Sequence, residues 1–408
     1  MKIKLSCFFV LIPFAICAQI IPFTDPALKS ALLVSGNEND NIYPYDSSGN
    51  EIQTIDTNGN GEIEVLEVAP IHELFFGNNG VVNLGGLEQF PNLKRLRCEY
   101  LVLATADLSL FTNLELFKCY GCNLNSINVA GLSNLLELNL WNNEFSSLPD
   151  FSGVDNLATL NLEENNFEGN FEFTDSELPA LKTLLIGSNA LTSVAIQKNA
   201  LETLIVREND LAAIDLSGTP NLLSFICTAN SISSLDMSAV PQLVTLNCSS
   251  NNIVNLDLSA LHDLNNLSCS SNPMVDLNIK NGKNESTFQL YNLQTLQHIC
   301  ADASQLNVIQ NIVNLLGYAN CDVDASCNLD AEENFADGFL LYPNPVRTEL
   351  RIETNETFKS VAIYDSRGRL VLKTTKFDVV DVSDLTSGLY YAILQNETTF
   401  VTRKFIKQ

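Results

Sequence analysis

The segment from Asp56 to Glu67 carries oxygen-bearing side chains at the spacing of a calcium-binding loop. Asp56, Asn58 and Asn60 stand at its first, third and fifth positions, and Glu64 and Glu67 stand at the ninth and twelfth. Calcium prefers about six to eight oxygen ligands, and the last ligand of such a loop is a bidentate glutamate. The segment therefore predicts a structural calcium site, and the alternative is a polar turn that needs no ion.

Two further positions fit the same chemistry. Gly61 allows the sharp turn at the sixth position, and Glu62 offers its backbone carbonyl at the seventh. The loop resembles that of an EF-hand, but the sequence contains one copy, whereas a calcium switch opens paired helices against each other. We therefore expect calcium to stabilise the fold here. A dockerin-like role in partner binding is weaker, because dockerin modules carry two such loops.

A repeat of about 21 residues occupies the centre of the chain, at residues 71–299. It is clearest at Cys227, Cys248 and Cys269, which lie 21 residues apart in phrases of the form L-x-x-L-x-C-x-x-N. A period of about 20 to 29 residues with this pattern is the signature of leucine-rich repeats. The ten copies begin at Ile71, Leu93, Leu114, Leu135, Leu157, Leu181, Leu201, Leu222, Leu243 and Leu264.

Each copy predicts one short strand, and the copies must stack into a parallel sheet because none can bury its apolar face alone. The asparagine that ends the phrase can satisfy turn backbone groups inside the stack. Leu101 and Cys122 take this position in two copies, and Leu101 predicts a locally altered turn. Because the repeat is too short for a full helix, we expect extended or 3₁₀ segments on the convex side.

The phrases alternate with L-D-L-S segments, and together they resemble the short leucine-rich repeats of bacteria over residues 71 to about 300. The resemblance implies a solenoid with a concave sheet. Residues 19–70 resemble the capping region that precedes such repeats in secreted bacterial proteins, and a stack requires a cap at its open edge. We expect a helix there, with Thr24 or Asp25 as N-cap and Pro26 near its first turn.

The first 18 residues have the pattern of a secretory signal peptide. Two lysines precede an apolar run from Leu5 to Ile16, and a small residue stands at the expected cleavage point. A lipoprotein signal through Cys17 is the alternative, although Ile16 stands where such signals carry a small residue. No later apolar run in the sequence reaches the length of about 18 residues that a membrane span needs.

Residues 338–408 have the pattern of a separate β module. Alternating stretches at 349–353 and 360–364 are bounded by turn residues, which predicts an immunoglobulin-like β-sandwich. Four motifs resemble the C-terminal sorting domain of the type IX secretion system of Bacteroidetes-like bacteria. They are Y-P-N-P at 342–345, I-Y-D-x-x-G-R-x-V at 363–371, L-x-x-G-x-Y at 385–390 and the tail K-F-I-K-Q at 404–408.

The resemblance to a sorting domain implies a route out of the cell. The signal peptide would take the chain across the inner membrane, and the secretion machinery would recognise residues 338–408 at the outer membrane. Such domains are normally cut off, and the passenger is released or attached to surface polysaccharide. The protein is therefore expected to be secreted or displayed at the cell surface.

Nine cysteines remain once the signal peptide is removed, in a compartment that permits disulfides. Five of them take inward strand positions and are expected to be small buried hydrophobes: Cys98, Cys119, Cys227, Cys248 and Cys269. Cys300, Cys321 and Cys327 lie where the repeats stop, in a predicted C-terminal cap and acidic linker at 300–337. A disulfide between two of these three would close the last edge. Zinc is less expected, because no paired C-x-x-C or close histidine accompanies them.

Composition argues against several classes of function. The formal net charge is −26, which disfavours nucleic acid and anionic membrane surfaces as partners through long-range repulsion. An enzyme is not expected either. His72, His262 and His298 stand in no metal or triad spacing, and no G-x-S-x-G motif occurs in the sequence.

The residues between the inward ones face the concave sheet and change in character along the array. Early copies present Arg95, Arg97, Lys118, Tyr120 and Trp141, and later copies present mostly Ser, Thr and Asn. Because binding hot spots favour Trp, Tyr and Arg, we place a ligand patch at these five residues, as a basic island on an acidic protein. The alternative for any one of them is ordinary solvated surface.

These observations predict a non-enzymatic protein that acts in adhesion or protein recognition. Its partner would be an extracellular protein, and residues 338–408 would engage the secretion machinery. The alternative is a glycan-binding or nutrient-capture protein, in which Tyr120 and Trp141 would stack on sugar rings. A structural component of a surface layer is a third interpretation.

Overall fold

The computed structural model divides the chain into two compact units after Ala325. The predicted signal peptide, Cys327 and most of the acidic linker lie outside the described residues. The described residues are 19–35, 41–77, 80–174, 176–326, 340–343, 345–354, 358–365, 369–376, 379–395 and 400–407.

The first unit is organised around one twelve-stranded sheet, here called the long sheet. Its first strand pairs antiparallel with the second, and every later strand is parallel to its neighbour. The strands are β1 (Ile42–Tyr45), β2 (Glu73–Gly77), β3 (Arg95–Glu99), β5 (Leu116–Tyr120), β7 (Glu137–Asn139), β8 (Thr159–Asn161), β10 (Thr183–Leu185), β12 (Thr203–Ile205), β13 (Ser224–Ile226), β14 (Thr245–Asn247), β16 (Asn266–Ser268) and β18 (Thr287–Gln289). The predicted parallel solenoid is confirmed.

The return segments between these strands are extended, as the repeat length predicted. They form three small parallel sheets, and one 3₁₀ helix (Leu87–Gln89) occurs among the described residues. The strands are β4 (Thr105–Asp107) with β6 (Ser126–Asn128), β9 (Glu168–Phe173) with β11 (Ala190–Ile196), and β15 (Asn255–Asp257), β17 (Asp276–Asn278), β19 (His298–Cys300) and β20 (Asp322–Asp324).

The asparagine of each phrase ties two turns of the solenoid together. Asn251 is buried, and its Nδ2 donates to the carbonyls of Cys227 and Cys248, while its Oδ1 accepts from the backbone N–H of Ile232. These partners are backbone groups that stacking removes from water, and leaving them unpaired would cost free energy. The same pattern recurs at Asn143, Asn165, Asn189, Asn209, Asn230 and Asn272.

The turns at Leu101 and Cys122, where another residue replaces the asparagine, differ from the rest. Cys122, at the asparagine position, forms a disulfide with Cys119. Cys119 is buried as predicted, but the prediction that it acts simply as a small hydrophobe was wrong. The Cα atoms of the two cysteines lie 5.8 Å apart, within the usual span of a disulfide, because the turn folds the chain back towards the strand. In the Leu101 turn Tyr100 is left-handed, as is the residue before each asparagine of the ladder, and Ala104 is an additional left-handed residue, which agrees with the altered turn expected there.

An eleventh repeat, which the sequence analysis missed, contributes β18. Its phrase departs from the pattern, because Glu285 takes the first leucine position and Leu293 takes the asparagine position. Glu285 is nevertheless buried, and it accepts hydrogen bonds from the side chains of Asn281 and Gln305. Helix α3 (Leu306–Leu316) follows and buries Ile309 and Val313 in the solenoid core.

The N-terminal end of the solenoid carries two helices and β1. Helix α1 (Pro26–Leu33) buries Leu28 and Leu32 in the core, and its N-cap is Asp25, one of the two residues proposed for that position. Helix α2 (Val65–Val68) follows the predicted calcium loop. The antiparallel β1 was not anticipated, and it extends the long sheet by one strand beyond the first repeat.

The second unit contains two antiparallel sheets. One comprises β21 (Leu340–Tyr342), β22 (Glu349–Glu353) and β25 (Val379–Asp381); the other comprises β23 (Ser360–Asp365), β24 (Leu370–Thr374), β26 (Gly388–Gln395) and β27 (Phe400–Lys407). Both sheets contribute to one core, with Leu350 and Val380 from the first and Val361, Leu394 and Phe405 from the second. Two sheets over a shared core agree with the expected sandwich, and the immunoglobulin-like topology stays a prediction.

Candidate binding face

The exposed face of the long sheet, which is the concave side in leucine-rich repeats, presents side chains in rows across the strands. Arg97, Lys118 and Asn139 align in the middle row, and Glu99 aligns with Tyr120 in the next. Trp141 follows Tyr120 in the same row, since its carbonyl accepts from the N–H of the residue after Tyr120. The structure therefore brings the predicted patch together on three adjacent strands.

Three aromatic rings are in contact with one another along this part of the face. The Tyr120 and Trp141 rings are stacked with their centroids 4.5 Å apart, and Tyr100 meets Tyr120 edge-on at 4.8 Å. A hydrogen bond with the Tyr120 side chain raises the pKa of the Tyr100 hydroxyl. Tyr100 was not among the predicted binding residues. The only sequence feature that could have pointed to it is its place beside Leu101, in a turn that lacks the asparagine.

The indole nitrogen of Trp141 is shielded from solvent and has no hydrogen-bond partner among the described residues. A buried polar group without a partner is rare in native proteins, because the desolvated group costs about 1–3 kcal/mol. Packing against Tyr120 therefore fixes the ring at a cost in stability.

The cations of the patch are paired with carboxylates. Arg97 Nε lies 3.1 Å from Glu73 Oε1, Arg95 Nε lies 3.6 Å from Glu73 Oε2, and Lys118 Nζ lies 2.6 Å from Glu137 Oε1. The basic island expected from the sequence is thus largely neutralised. Glu73 lies on β2 and Glu137 on β7, which are the strands next to those that carry the cations. Only the register across the sheet shows that these carboxylates face the cations.

A cleft of about 440 Å³ opens at the N-terminal end of this face. Strand β1 places Tyr43 opposite Phe75 and Tyr45 opposite Glu73, and Arg97 completes the lining from the next strand. The sequence analysis could not find this cleft, because it did not anticipate β1. The cleft adjoins the predicted patch through Arg97.

The later part of the face is different in chemistry. The hydroxyls of Ser249 and Ser268 lie 2.8 Å apart, and Ser268 donates to Gln289 at 3.0 Å. These small polar side chains satisfy one another along the row, and the aromatic anchors are concentrated at the N-terminal end. The candidate binding face is therefore its first third, on β1 to β7.

The predicted calcium loop folds around its own side chains. Asp56 accepts from the backbone N–H of Gly59 at 2.8 Å and of Gly61 at 2.9 Å. Asn58 and Asn60 donate to the carboxylate of Glu64 at 3.2 and 2.7 Å. The oxygen-bearing side chains predicted for the first, third, fifth and ninth positions are thus close together. The Glu62 side chain points elsewhere and pairs with Lys29 at 2.7 Å, but only its backbone carbonyl was expected to bind.

The twelfth position joins this group. Glu67 accepts from the N–H of Thr57 at 2.8 Å and from that of Glu64 at 3.1 Å, which forms a capping box for α2. The side-chain contact with Glu67 raises the pKa of Glu64. Among the described residues, no group of three or more His, Cys, Asp or Glu side chains has the arrangement of a metal site. The calcium site stays a prediction.

The three C-terminal cysteines fall into different classes. Cys300 is disulfide-bonded, whereas Cys321 is a free, buried thiol, and burial raises the pKa of Cys321 to about 11. Cys327 lies outside the described residues. Of the proposed disulfide pairings, those that use Cys321 are thus not formed.

The comparisons with known proteins agree with the two-part organisation. Residues 340–408 match the family model of the secretion system C-terminal sorting domain. No match to a curated protein was found. Among solved structures, a leucine-rich-repeat protein of Leptospira interrogans is 22% identical, with 63% of this chain and 79% of that chain covered and a TM-score of 0.51.

Two Listeria monocytogenes structures are less similar in geometry. The functional domain of InlJ, whose description includes a cysteine ladder, is 17% identical, covers 85% of this chain and 93% of its own, and has a TM-score of 0.41. The internalin inlF is 17% identical, covers 77% and 99%, and has a TM-score of 0.44. Within the described residues, no helix has the length and hydropathy that crossing a bilayer requires. The first unit thus has the fold of a leucine-rich-repeat solenoid, residues 340–408 match a secretion system C-terminal sorting domain, and the protein is secreted or displayed at the cell surface.

Proposed function

We propose that the first third of the long-sheet face recognises an extracellular protein, and that the chain acts in adhesion or protein recognition. The observation that carries this proposal is the stack of Tyr100, Tyr120 and Trp141, with its shielded indole nitrogen. Trp, Tyr and Arg supply most hot spots of protein interfaces, where a few anchors carry the binding energy. No catalytic role is proposed.

A protein suits this surface better than a sugar stacked on Tyr120 and Trp141. Their stacking at 4.5 Å covers one face of each ring, which leaves less aromatic surface for a sugar ring. Their edges and the neighbouring ion pair of Lys118 with Glu137 remain at the surface. Paired rim charges can exchange partners with a protein surface, which favours specificity more than affinity.

The N-terminal cap serves this face by holding β1 and the first repeats in place. We propose that calcium binds the loop and stabilises this cap. Asp56, Asn58, Asn60, Glu64 and Glu67 would hold the ion with their side chains, together with the backbone carbonyl of the seventh position. Support comes from the loop geometry, which brings the side chains of Asn58 and Asn60 within hydrogen-bond distance of the Glu64 carboxylate.

Capture of partners from cell-surface extracts tests the proposed interface. The exported chain would be compared with a Tyr120→Ala/Trp141→Ala variant and with a Ser249→Ala/Ser268→Ala variant as matched control from the later part of the same face. A protein that the control captures and the aromatic variant loses supports the proposal. Equal capture by both variants would overturn it. If neither the wild type nor the variants capture a protein, a structural role in a surface layer becomes the better interpretation.

A further inference from the structure

The cleft at the N-terminal end of the long sheet has the composition of a small-ligand site. Its volume of about 440 Å³ lies within the usual range of about 300–1,000 Å³ for such sites. The side chains of Tyr43, Tyr45 and Phe75 line it. The ring centroids of Tyr43 and Phe75 lie 5.8 Å apart, and the ring planes are tilted by 40°. The tilted rings form an angled apolar wall.

The polar part of the cleft is the ion pair of Glu73 with Arg97, and Arg95 also approaches the Glu73 carboxylate from outside the lining. Glu73 and Arg97 both line the cleft, with Arg97 Nε 3.1 Å from Glu73 Oε1. The Arg97 side chain keeps 41% of its surface exposed and Glu73 keeps 17%, so both groups remain partly accessible. A carboxylate offers only acceptors and a guanidinium only donors, and here they stand side by side.

We propose that this cleft binds a neutral saccharide. A sugar hydroxyl donates as well as accepts, so neighbouring hydroxyls can engage Glu73 and Arg97 together without separating the pair. The C–H face of the same ring provides an apolar surface for Tyr43 and Phe75. The chemistry of the lining therefore matches a polyhydroxylated ring with one apolar face.

Charge argues for the neutral form of the ligand. Glu73 would repel an anionic sugar, and Arg97 would repel a cationic ligand. Because the two charges stand side by side, a charged ligand cannot approach one without meeting the other. The high net negative charge of the chain further disfavours an anion. The site lies on the same face and shares Arg97 with the predicted patch, but it does not use the Tyr120–Trp141 stack that carries the protein interface proposed above.

An array of neutral and acidic oligosaccharides, followed by calorimetric titration of the best neutral one, tests the assignment on the exported chain. Wild type should bind neutral sugars, and Tyr43→Ala and Phe75→Ala should each weaken binding roughly tenfold or more, since each removes an aromatic ring that would pack on the C–H face of the sugar. The Ser249→Ala/Ser268→Ala variant, far along the face, should bind as wild type does.

A second, isosteric variant separates recognition from folding. Glu73→Gln removes the carboxylate charge and leaves Arg95 and Arg97 without their partner, so preference should shift from neutral towards acidic sugars. Thermal melting of every variant checks that the fold is kept. The assignment is overturned if wild type binds no neutral sugar, if Tyr43→Ala and Phe75→Ala bind unchanged, or if Glu73→Gln leaves the preference unaltered. Loss of protein capture in the aromatic variant is a separate readout, so the two proposals can fail independently.

Discussion

Arg207 reaches across a complete repeat to pair with Glu163, with Nε 2.9 Å from Oε1 although the residues are 44 positions apart. Gly187 lies between them in the same row, because its carbonyl and that of Arg207 accept hydrogen bonds at equivalent places in successive turns. A Cβ atom on Gly187 would stand 2.7 Å from both Arg207 Cγ and Glu163 Oε1. The Glu163–Arg207 pair thus depends on the absence of a side chain at Gly187 in the intervening repeat. It lies next to Trp141, where the aromatic part of the face ends.

We predict that Gly187→Ala abolishes the coupling between these two residues. In the wild-type background, a double-mutant cycle with Glu163→Gln and Arg207→Gln should give about 1 kcal/mol, because Glu163 is nearly buried. In the Gly187→Ala background it should give about zero. The control is the exposed pair of Lys182 with Glu202 at 2.8 Å, whose small coupling should be the same in both backgrounds. Equal Glu163–Arg207 coupling in both would contradict the prediction.

Asn251 provides a second test, of what holds the turns together. Asn251→Ala leaves the carbonyl of Cys227 and the N–H of Ile232 without partners inside the stack, since both bonds are made at 3.0 Å by the asparagine side chain. Buried groups left unpaired cost about 1–3 kcal/mol each, so we expect a loss of roughly 3 kcal/mol in the free energy of unfolding. Chemical denaturation measures it.

The neighbouring Asn252→Ala is the matched control for this prediction. Asn252 is exposed and donates to the Ser231 carbonyl at 3.4 Å, so its loss should change the free energy of unfolding by less than about 0.5 kcal/mol. Similar effects of the two substitutions would show that the asparagine ladder is not what stabilises the stack.

The solenoid could be predicted because its rule is local and periodic. Each copy repeats the same inward side chains, and the asparagine that satisfies the turn is itself part of the phrase. Prediction failed where the structure departs from that period. Glu285 hides the eleventh repeat, because a buried carboxylate takes the place of a leucine and is satisfied by Asn281 and Gln305, which lie outside the phrase.

The candidate binding face was predictable in position but not in chemistry. The alternation of strand residues places Arg97, Lys118 and Trp141 on the exposed face, and the structure agrees. Their partners depend on register across the sheet, which a single phrase does not contain, so the pairing of Arg97 with Glu73 was missed. The cleft depends on β1, an antiparallel strand with no repeat signature.

The calcium proposal predicts that the ion raises thermal stability. Calcium at millimolar concentration should raise the melting temperature, because extracellular sites of this type bind at about 10⁻⁴ to 10⁻³ M, and chelation should reverse the change. Asp56→Ala should abolish the response. Asp46→Ala is the control, since Asp46 accepts backbone hydrogen bonds from Ser48 and Asn50 in a nearby turn outside the loop. A melting curve that ignores calcium, or a response that survives Asp56→Ala, would refute the site.

The last prediction concerns acid stability, and it follows from the D-x-S motif of the return segments, in which an aspartate is followed two residues later by a serine. Asp236 accepts hydrogen bonds from the hydroxyl of Ser238 at 2.6 Å and from its backbone N–H at 3.0 Å, and these bonds lower the pKa of Asp236. Asp107 and Asp215 are lowered in the same way by the serines that follow them. These three turns of the return path are thus held by an ionised carboxylate.

The lowered pKa values of these aspartates determine how stability changes with pH. In the unfolded chain an aspartate has a pKa of about 3.9, and in the folded chain these have lower values, so the unfolded state binds protons first as pH falls. The stabilisation is complete above about pH 5 and is lost progressively as pH falls through the folded pKa. Asp107→Asn/Asp215→Asn/Asp236→Asn should therefore show a smaller fall in melting temperature between pH 5 and about pH 2 than wild type. Asp210→Asn, an exposed aspartate outside the motif, should follow the wild-type curve, and a triple variant that follows it as well would mean that these hydrogen bonds do not set the acid limit.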